Sequence, residues 1–265
     1  MQEITSTKNA KIKYLNQLSR KSSVRKKEKA FVIEGIKETE KALKNDYKIH
    51  TIFFYPEIAD EKWMNEIQKK YPEIEWIKIS KPVFENLAYR KSTGGIIALA
   101  KMKEHKLEDL ELPENPLILI AENIEKPGNI GAMLRTADGA GTDAFILVNP
   151  RTDLYNPNTV RSSLGTLFSR PVAVVEDLDR LKDFLKKNNI NLYKATLQNA
   201  NPYFKENYKT GSAVAVGAED KGLSEEMRNL EGKSVYIPMK GEADSLNVSV
   251  SAAIIVYEAL RQREI

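Results

Sequence analysis

The chain has 265 residues, of which 42% are hydrophobic and 29% are charged, and its formal net charge is +4. This composition is typical of a globular protein, and no apolar run reaches the roughly 20 residues of a membrane span, so we expect no membrane partner. The chain has no cysteine and only two histidines, far apart at His50 and His105, which excludes disulfides and predicts that no metal is bound. The N-terminal residues lack the pattern of a secretory signal, so a cytoplasmic location is expected.

A dense basic segment lies at residues 8–29, where Glu28 is the single acidic residue. Positive side chains at this density could neutralise several phosphates of a nucleic acid, or could form a solvated helix face. The candidate phosphate-contacting residues are Lys8, Lys11, Lys13, Arg20, Lys21, Arg25, Lys26 and Lys27.

Short apolar runs alternate with amphipathic stretches between residues 31 and 101, which predicts a small α/β domain. The predicted strands are 31–33, 51–54, 76–79 and 96–99, and the predicted helices are 34–44, 61–70 and 82–88. A charged segment that ends in two prolines follows, as is typical of an interdomain connection. We therefore assign an N-terminal domain to residues 1–103, a linker to 104–115 and a second domain to 116–265.

The second domain begins with a continuous apolar run at residues 117–120, which is typical of a strand buried on both faces of a parallel sheet. Five further runs alternate with helical or loop segments, at 145–148, 172–175, 192–195, 213–216 and 235–237. This pattern predicts a mainly parallel sheet with crossover helices.

The last helix is predicted at residues 246–264, with Asp244 or Ser245 as its N-cap. Its apolar residues cover more than one stripe, which indicates burial on two sides. The second side could be covered by the same chain or by a partner subunit.

The glycine spacing of residues 139–144 matches a dinucleotide-binding motif. Such a motif must follow a strand and open a helix, whereas this segment closes a predicted helix and precedes a strand. Gly139 and Gly141 are therefore interpreted as a helix stop and a turn.

Polar residues recur where strand-to-helix turns are expected in the second domain. Asn129 could cap the helix that follows the first strand. Arg135, on the same helix, lies among small and apolar residues, where an unpaired charge is costly, so we predict that it faces a cleft and binds an anion such as phosphate.

Two later turns carry further polar residues. Glu219 follows the strand at 213–216, where Gly217 permits close backbone approach and Ser224 caps the next helix. Ser245 and Asn247 lie near the start of the last helix. Because ligands bind at the carboxyl ends of parallel strands, these turns predict a single site.

Three blocks in this order carry a family resemblance. They read Asn-x-Gly-x-x-x-Arg-Thr-Ala from Asn129, Gly-x-Glu-x-x-Gly-Leu-Ser from Gly217, and Ile-Pro-Met-x-Gly-x-x-x-Ser-Leu-Asn-Val-Ser-Val from Ile237. Together they resemble the SpoU (TrmH-like) family of RNA ribose 2′-O-methyltransferases over residues 121–258.

The N-terminal part is similar to the RNA-binding domain that some members of this family carry, a fold related to certain ribosomal proteins. The similarity is carried by Ile4-Thr-Ser-x-x-Asn9, Phe31-Val-Ile-Glu-Gly35 and the strand pattern. The chain departs from the family pattern at Thr93-Gly-Gly95, where many relatives have a Pro-Gln-Gly-like turn, and at Ser251, where alanine is common.

The resemblance implies a SPOUT-type α/β domain with a deep trefoil knot, which binds S-adenosylmethionine in the knot and forms a homodimer. The implied cofactor-binding residues are Leu197, Gly217, Ile237, Met239 and Leu246. The implied residues of the reacting centre are Asn129, Arg135, Glu219, Ser245 and Asn247. Arg161 and the basic segment would contact RNA.

The implied reaction is attack of a ribose 2′-hydroxyl oxygen on the methyl group of the cofactor. The hydroxyl must be held at attack distance and must lose its proton as the bond forms. The resemblance implies Arg135 as the base, helped by an RNA phosphate. Because an arginine stays protonated in proteins, a positioning and charge-stabilising role for Arg135 is physically easier, with Glu219 as the alternative proton acceptor.

The favoured function is methylation of structured RNA, with large-subunit (23S) ribosomal RNA preferred because the N-terminal extension resembles that of ribosomal RNA enzymes. Transfer RNA is the first alternative substrate. A non-catalytic RNA-binding or ribosome assembly protein is the second alternative, and methylation of a substrate other than RNA is the third.

Overall fold

The structure, a computed structural model, describes residues 2–89 and 94–264. Thr93, one of the departures from the family pattern, lies outside these residues. The chain forms two compact units. The first unit contains the chain up to Lys103 together with Leu154–Ser169, and the second unit contains Glu104–Asp153 and the chain from Arg170 onwards.

The strands, in chain order, are β1 (Gln2–Ile4), β2 (Ala30–Glu34), β3 (Ile49–Phe54), β4 (Glu75–Ile79), β5 (Ile96–Lys101), β6 (Leu117–Glu122), β7 (Ala144–Val148), β8 (Val172–Val175), β9 (Asn191–Ala195), β10 (Asn201–Pro202), β11 (Ser212–Val216) and β12 (Lys233–Tyr236). The helices are α1 (Ala10–Arg20), α2 (Ser22–Glu28), α3 (Ile36–Lys44), α4 (Glu61–Lys70), α5 (Lys81–Leu87), α6 (Pro127–Gly139), α7 (Pro157–Ser162), α8 (Thr166–Ser169), α9 (Leu178–Lys187), α10 (Glu225–Asn229) and α11 (Val248–Glu264). Single 3₁₀ turns lie at Leu107–Asp109 and Tyr203–Lys205.

The sheet of the first unit has the strand order β1-β4-β3-β5-β2. β5 pairs antiparallel with both β2 and β3, whereas β4 pairs parallel with β1 and β3. The strands predicted from the apolar runs are confirmed as β2 to β5. β1 was not predicted from the apolar runs, because this strand has three residues and only Ile4 among them is buried.

The basic segment folds into α1 and α2. Asn9 caps α1, since its Oδ1 accepts a hydrogen bond from the amide of Lys11 at 2.9 Å. Buried side chains at Ile12, Leu15 and Leu18 form one face of the helix, at the spacing that turns an amphipathic helix toward a core. Most of the basic residues therefore lie on the solvent side.

Residues 154–169 belong to the first unit, whereas they were predicted to lie in the second domain. The physical reason is an aromatic cluster. The ring centroids of Phe31 and Tyr155 are 4.3 Å apart, and those of Tyr47 and Phe168 are 4.9 Å apart. Aromatic pairs at these distances contribute beyond the area that they bury, and the apolar pattern of the sequence does not show which sheet such a segment joins.

The sheet of the second unit has the order β10-β12-β9-β11-β6-β7-β8, and every pairing in it is parallel. The expected parallel sheet is therefore confirmed, with β10 as an addition that was not predicted. From β6 the chain proceeds through β7 to β8 on one side, and then returns to β9 on the other side of β6. Such a reversal of strand order marks the place where open α/β sheets bind ligands. The trefoil knot stays a prediction.

The end of α6 has the geometry predicted for Gly139 and Gly141. Gly141 has a φ of +63°, and the amide of Thr142 donates to the carbonyl of Ala137 at 2.9 Å. A glycine in the left-handed conformation thus ends the helix, so the segment serves as a turn and not as a dinucleotide-binding loop.

None of the helices in residues 2–89 and 94–264 has the length and apolar character that a membrane span requires.

Arg25 departs from the prediction that the basic residues contact phosphate. Its side chain is 2% exposed, and its Nη1 donates hydrogen bonds to the carbonyl oxygens of Leu18 and Ser19 near the end of α1. These carbonyls lie in the last turn, which has no intrahelical donors. Arg25 therefore ties α2 to α1 and is removed from the candidate RNA-contacting residues.

We expect Arg25→Ala to lower the free energy of unfolding of the first unit by about 2 kcal/mol, because charged hydrogen bonds to buried carbonyls are lost. Urea denaturation followed by tryptophan fluorescence reports on this unit, since Trp63 and Trp76 are the two tryptophans of the chain. Lys26→Ala, which truncates an exposed neighbour, is the matched control. Equal midpoints for the two variants would contradict the proposed role of Arg25.

Candidate active site

A cavity of about 440 Å³ opens in the second unit at the C-terminal ends of β9, β11 and β12. Its volume lies within the range of ligand pockets, roughly 300 to 1,000 Å³. The residues predicted to bind the cofactor all line this cavity: Leu197, Gly217, Ile237, Met239 and Leu246. The structure therefore brings together residues that lie up to 49 positions apart in the sequence.

Three large apolar side chains at this cavity are open to solvent. Leu197 is 76% exposed, and Met239 and Leu246 are each 37% exposed. Exposed apolar side chains around a concave site are typical of ligand pockets. They offer contact area to an apolar or aromatic part of a ligand.

One wall of the cavity is the loop 217–224, which folds back on itself at Gly217. A Cβ atom at this position would lie 2.0 Å from the carbonyl carbon of Gly222 and 2.1 Å from the amide nitrogen of Leu223. The backbone turns back at Gly222, which has a φ of +65° and whose amide donates a hydrogen bond to the carbonyl of Ala218 at 2.9 Å. The predicted close approach at Gly217 is confirmed, and the approaching backbone is that of the loop itself.

A buried carboxylate holds the same loop to the central strand. Glu122 is fully buried at the end of β6, and its oxygens accept hydrogen bonds from the amide of Ser224 at 2.8 Å and from its Oγ at 2.5 Å. Ser224 Oγ in turn accepts from the amide of Met227 at 3.1 Å, which confirms Ser224 as the cap of α10. Sequence reasoning assigned no role to Glu122, although a carboxylate that ends an apolar run is a signal for such a contact.

A buried lysine supports the wall that follows β9. Lys194 is 4% exposed, and its Nζ donates to the carbonyls of Arg228 and Leu230 at 2.8 and 2.6 Å. Burial lowers the pKa of the Lys194 ammonium. The contact fixes the C-terminal end of α10 beside the cavity-lining residue Ala195.

Three of the residues predicted for the reacting centre form a hydrogen-bonded chain. Asn129 Nδ2 donates to Glu219 Oε1, and Asn247 Nδ2 donates to Asn129 Oδ1 at 3.3 Å. Glu219 and Ser245 also line the cavity. These hydrogen bonds therefore link the start of α6, the loop 217–224 and the start of α11 beside the pocket.

The caps of the two helices differ from the prediction. α6 begins at Pro127 with Lys126 as its N-cap, so the side chain of Asn129 is free to bind Glu219. α11 begins at Val248, and Asn247 caps it by accepting a hydrogen bond from the amide of Ser249 at 2.9 Å. The prediction that Asp244 or Ser245 caps this helix is therefore wrong. Asn247 caps with Oδ1 while its Nδ2 reaches Asn129.

Arg135 lies on α6 and is exposed. The expectation that apolar neighbours would make its charge costly is therefore wrong, because those neighbours turn inward while the guanidinium stays in water. No hydrogen bond or ion pair joins it to another residue in the described part of the chain. Its donors are available to a ligand. No group of acidic residues and histidines that could hold a metal is found in residues 2–89 and 94–264.

The remaining predicted site residues lie in the first unit. Lys8, Lys13, Arg20, Lys21, Lys26 and Lys27 are exposed. Lys11 forms an ion pair with Glu75 at 2.8 Å, with 43% of its side chain exposed. Arg161 lies in α7, where its guanidinium carbon is 3.8 Å from the ring centroid of Tyr89.

We expect Gly217→Ala to weaken binding of S-adenosylmethionine, the cofactor implied by the sequence, by about tenfold or more, because any Cβ here must displace backbone that forms the pocket wall. Isothermal titration calorimetry measures the change. Gly241→Ala is the matched control, since a Cβ there meets no atom within 4 Å. Equal affinities for the two variants would show that the close approach at Gly217 does not shape the site.

Known proteins resemble this chain over nearly its whole length. The model of the SpoU rRNA Methylase family matches residues 116–257, and that of the MRM3-like substrate binding domain matches residues 9–98. A 23S rRNA (guanosine(2553)-2′-O)-methyltransferase of Bacillus subtilis is 33% identical over 258 residues, which cover 97% of this chain and 98% of the relative.

Two solved structures extend this comparison. The SpoU methyltransferase AviRb from Streptomyces viridochromogenes, in complex with the cofactor AdoMet, matches with a TM-score of 0.90 and 27% identity, covering 97% of this chain and 99% of that chain. The A. aeolicus TrmH/SpoU tRNA modifying enzyme matches with a TM-score of 0.52 and 29% identity, and covers 60% of this chain and 80% of that chain. The chain therefore belongs to the SpoU rRNA Methylase family, with an MRM3-like substrate binding domain ahead of the family domain.

Proposed function

We propose that the protein transfers a methyl group from S-adenosylmethionine to a ribose 2′-oxygen of 23S ribosomal RNA. The observation that carries this proposal is the hydrogen-bonded chain of Asn129, Glu219 and Asn247 beside a pocket of cofactor size. The relative from Bacillus subtilis, which matches almost end to end, is named for this reaction on 23S rRNA.

The lining of the pocket suits S-adenosylmethionine, which carries both positive and negative groups. Its exposed apolar side chains can pack on the adenine, and both acidic residues (Glu219, Asp220 and Asp244) and basic residues (Lys221 and Arg228) line it. AviRb, whose fold matches over nearly the whole chain, was solved with this cofactor. When bound, S-adenosylmethionine supplies an electrophilic methyl group that needs no metal activation.

The residues of this chain then have two tasks, which are to hold the ribose hydroxyl and to accept its proton. Glu219 is half-buried, and Asn129 binds its Oε1, so the carboxylate is oriented before RNA arrives. Its Oε2 is positioned by the same contact and can accept the hydroxyl proton. Arg135, exposed on α6, would bind an RNA phosphate and stabilise charge, since a guanidinium keeps its proton.

The substrate assignment rests on the first unit. Its exposed lysines and arginines offer an electrostatic surface for a phosphate backbone. The tRNA enzyme from A. aeolicus covers only 60% of this chain, whereas the 23S enzyme from Bacillus subtilis covers 97%. Ribosomal RNA is therefore favoured over transfer RNA, and a cytoplasmic location follows from that substrate.

The proposal is tested by transfer of labelled methyl from S-adenosylmethionine to purified 23S rRNA, 16S rRNA and transfer RNA, followed by mapping of alkali-resistant ribose. Label in 23S rRNA is the expected result. Label in transfer RNA alone would transfer the assignment to that substrate. Cofactor binding without label in any RNA, including RNA from assembly intermediates, would favour a non-catalytic assembly role.

Arg135→Lys is expected to lower the rate of methyl transfer by about tenfold or more while the cofactor dissociation constant stays within about twofold, because the charge remains but the fork geometry is lost. Arg180→Lys, on an exposed arginine of α9 that pairs with Glu108, is the matched control. Near-normal turnover of Arg135→Lys would refute the positioning role.

We propose that the protein works as a homodimer through the second unit. Val250 and Tyr257, two turns apart on α11, are 45% and 48% exposed and form an apolar stripe on one side of the helix. A two-fold interface uses the same patch on both subunits, so an exposed apolar stripe of this kind suits one.

Val250→Glu should dissociate this dimer, as measured by size exclusion with light scattering. Position 250 is the third residue of α11, where glutamate suits the start of a helix, so the fold is expected to stay intact. Lys182→Glu, on the exposed face of α9, controls for added negative charge. An unchanged dimer in Val250→Glu, or a monomeric parent protein, would contradict the proposed interface.

A further inference from the structure

An exposed aromatic ring and an arginine stack on one another in the first unit. Tyr89 is 75% exposed, and the guanidinium carbon of Arg161 lies 3.8 Å from its ring centroid. This distance is well inside the limit of about 6 Å for a cation–π contact. The ring makes no contribution to the core that would account for its position.

Both partners are held in place by the protein. The amide of Tyr89 donates to Glu34 Oε1 at 2.9 Å, which fixes the chain just after α5. Arg161 Nη2 donates to Asn158 Oδ1 within α7. Lys41 Nζ donates to the carbonyl of Leu164 at 2.9 Å and so ties the residues that follow α7 to α3. A site fixed in advance loses less entropy when a ligand binds.

The geometry suits an unpaired nucleotide. The guanidinium covers one face of the ring, and an exposure of 75% leaves the other face to solvent. Bases that are splayed out of an RNA helix stack on such aromatic faces, and the contact tolerates any base. The positive charge of Arg161 beside the ring can attract the adjoining phosphate.

We propose that Tyr89 and Arg161 form a stacking site for one unpaired base of the RNA substrate. The inference rests on the proposed function and deepens it, because it specifies that the first unit recognises a single-stranded or looped element and not a continuous duplex. Tyr89 supplies the stacking surface, and Arg161 supplies the electrostatic contact.

The test compares binding of the full chain to two fluorescent oligoribonucleotides of about 12 residues, one of adenosines and one with abasic positions in its centre. Dissociation constants are measured by fluorescence anisotropy at several salt concentrations. We expect Tyr89→Ala to weaken binding of the adenosine oligonucleotide by about tenfold and to leave binding of the abasic one unchanged. Tyr89→Phe should bind both like the parent protein.

Salt dependence separates the two contributions. Tyr89→Ala should keep the slope of affinity against salt, whereas Arg161→Ala should reduce that slope by about one phosphate contact. Phe204→Ala removes a 51% exposed aromatic ring in the second unit and should change neither property.

Three results would overturn the stacking site. These are equal losses on both oligonucleotides in Tyr89→Ala, a loss in Tyr89→Phe as large as in Tyr89→Ala, and a parent protein that does not distinguish adenosine from abasic RNA. Methyl transfer by the parent protein is assayed separately. Base-dependent binding without methyl transfer would refute the proposed reaction while supporting the stacking site, and methyl transfer without base-dependent binding would do the reverse.

Discussion

The pocket of the second unit depends on the loop 217–224, which folds back against its own backbone at Gly217. Only a residue without a side chain fits at Gly217, and the buried carboxylate of Glu122 fastens the far end of the loop to the central strand. Within the loop, the amide of Gly222 bonds the carbonyl of Ala218, and the side chain of Arg228 bonds the carbonyl of Leu223, so that the path between these two contacts is also fixed. The position of Glu219, and through Asn129 and Asn247 the arrangement of two helix starts, follows from that path.

Parallel strands bring these elements together without any one of them forming the site alone. β6, β9, β11 and β12 end at the same edge, and the polar residues come from the turns beyond them. A side chain in such a turn can serve the fold and the chemistry at once. Asn247 is an example, because its Oδ1 caps α11 while its Nδ2 donates a hydrogen bond to Asn129 at the site.

The sequence predicts the strands well, because buried parallel strands are apolar runs. It also predicts which residues line one pocket, because the motifs follow these strands directly. It fails where the outcome depends on three-dimensional neighbours. Arg25 was expected to be exposed and is buried, and Arg135 was expected among apolar neighbours and is exposed. The carbonyls that bind Arg25 and the orientation of α6 cannot be predicted from the adjacent residues in the sequence. The carboxylate of Glu122 at the end of an apolar run signals a buried polar contact, but its partner Ser224 lies 102 positions away and cannot be identified from the sequence around it.

The membership of residues 154–169 in the first unit has a consequence for the modularity of the chain. Tyr155 and Phe168 lie within the sequence range of the family domain, yet their aromatic neighbours Phe31 and Tyr47 come from the N-terminal sequence. A fragment cut at the linker would expose these rings to water. The N-terminal sequence is thus an internal scaffold for part of the family domain, so that gain or loss of this extension in evolution requires compensating changes in a helical segment far along the chain.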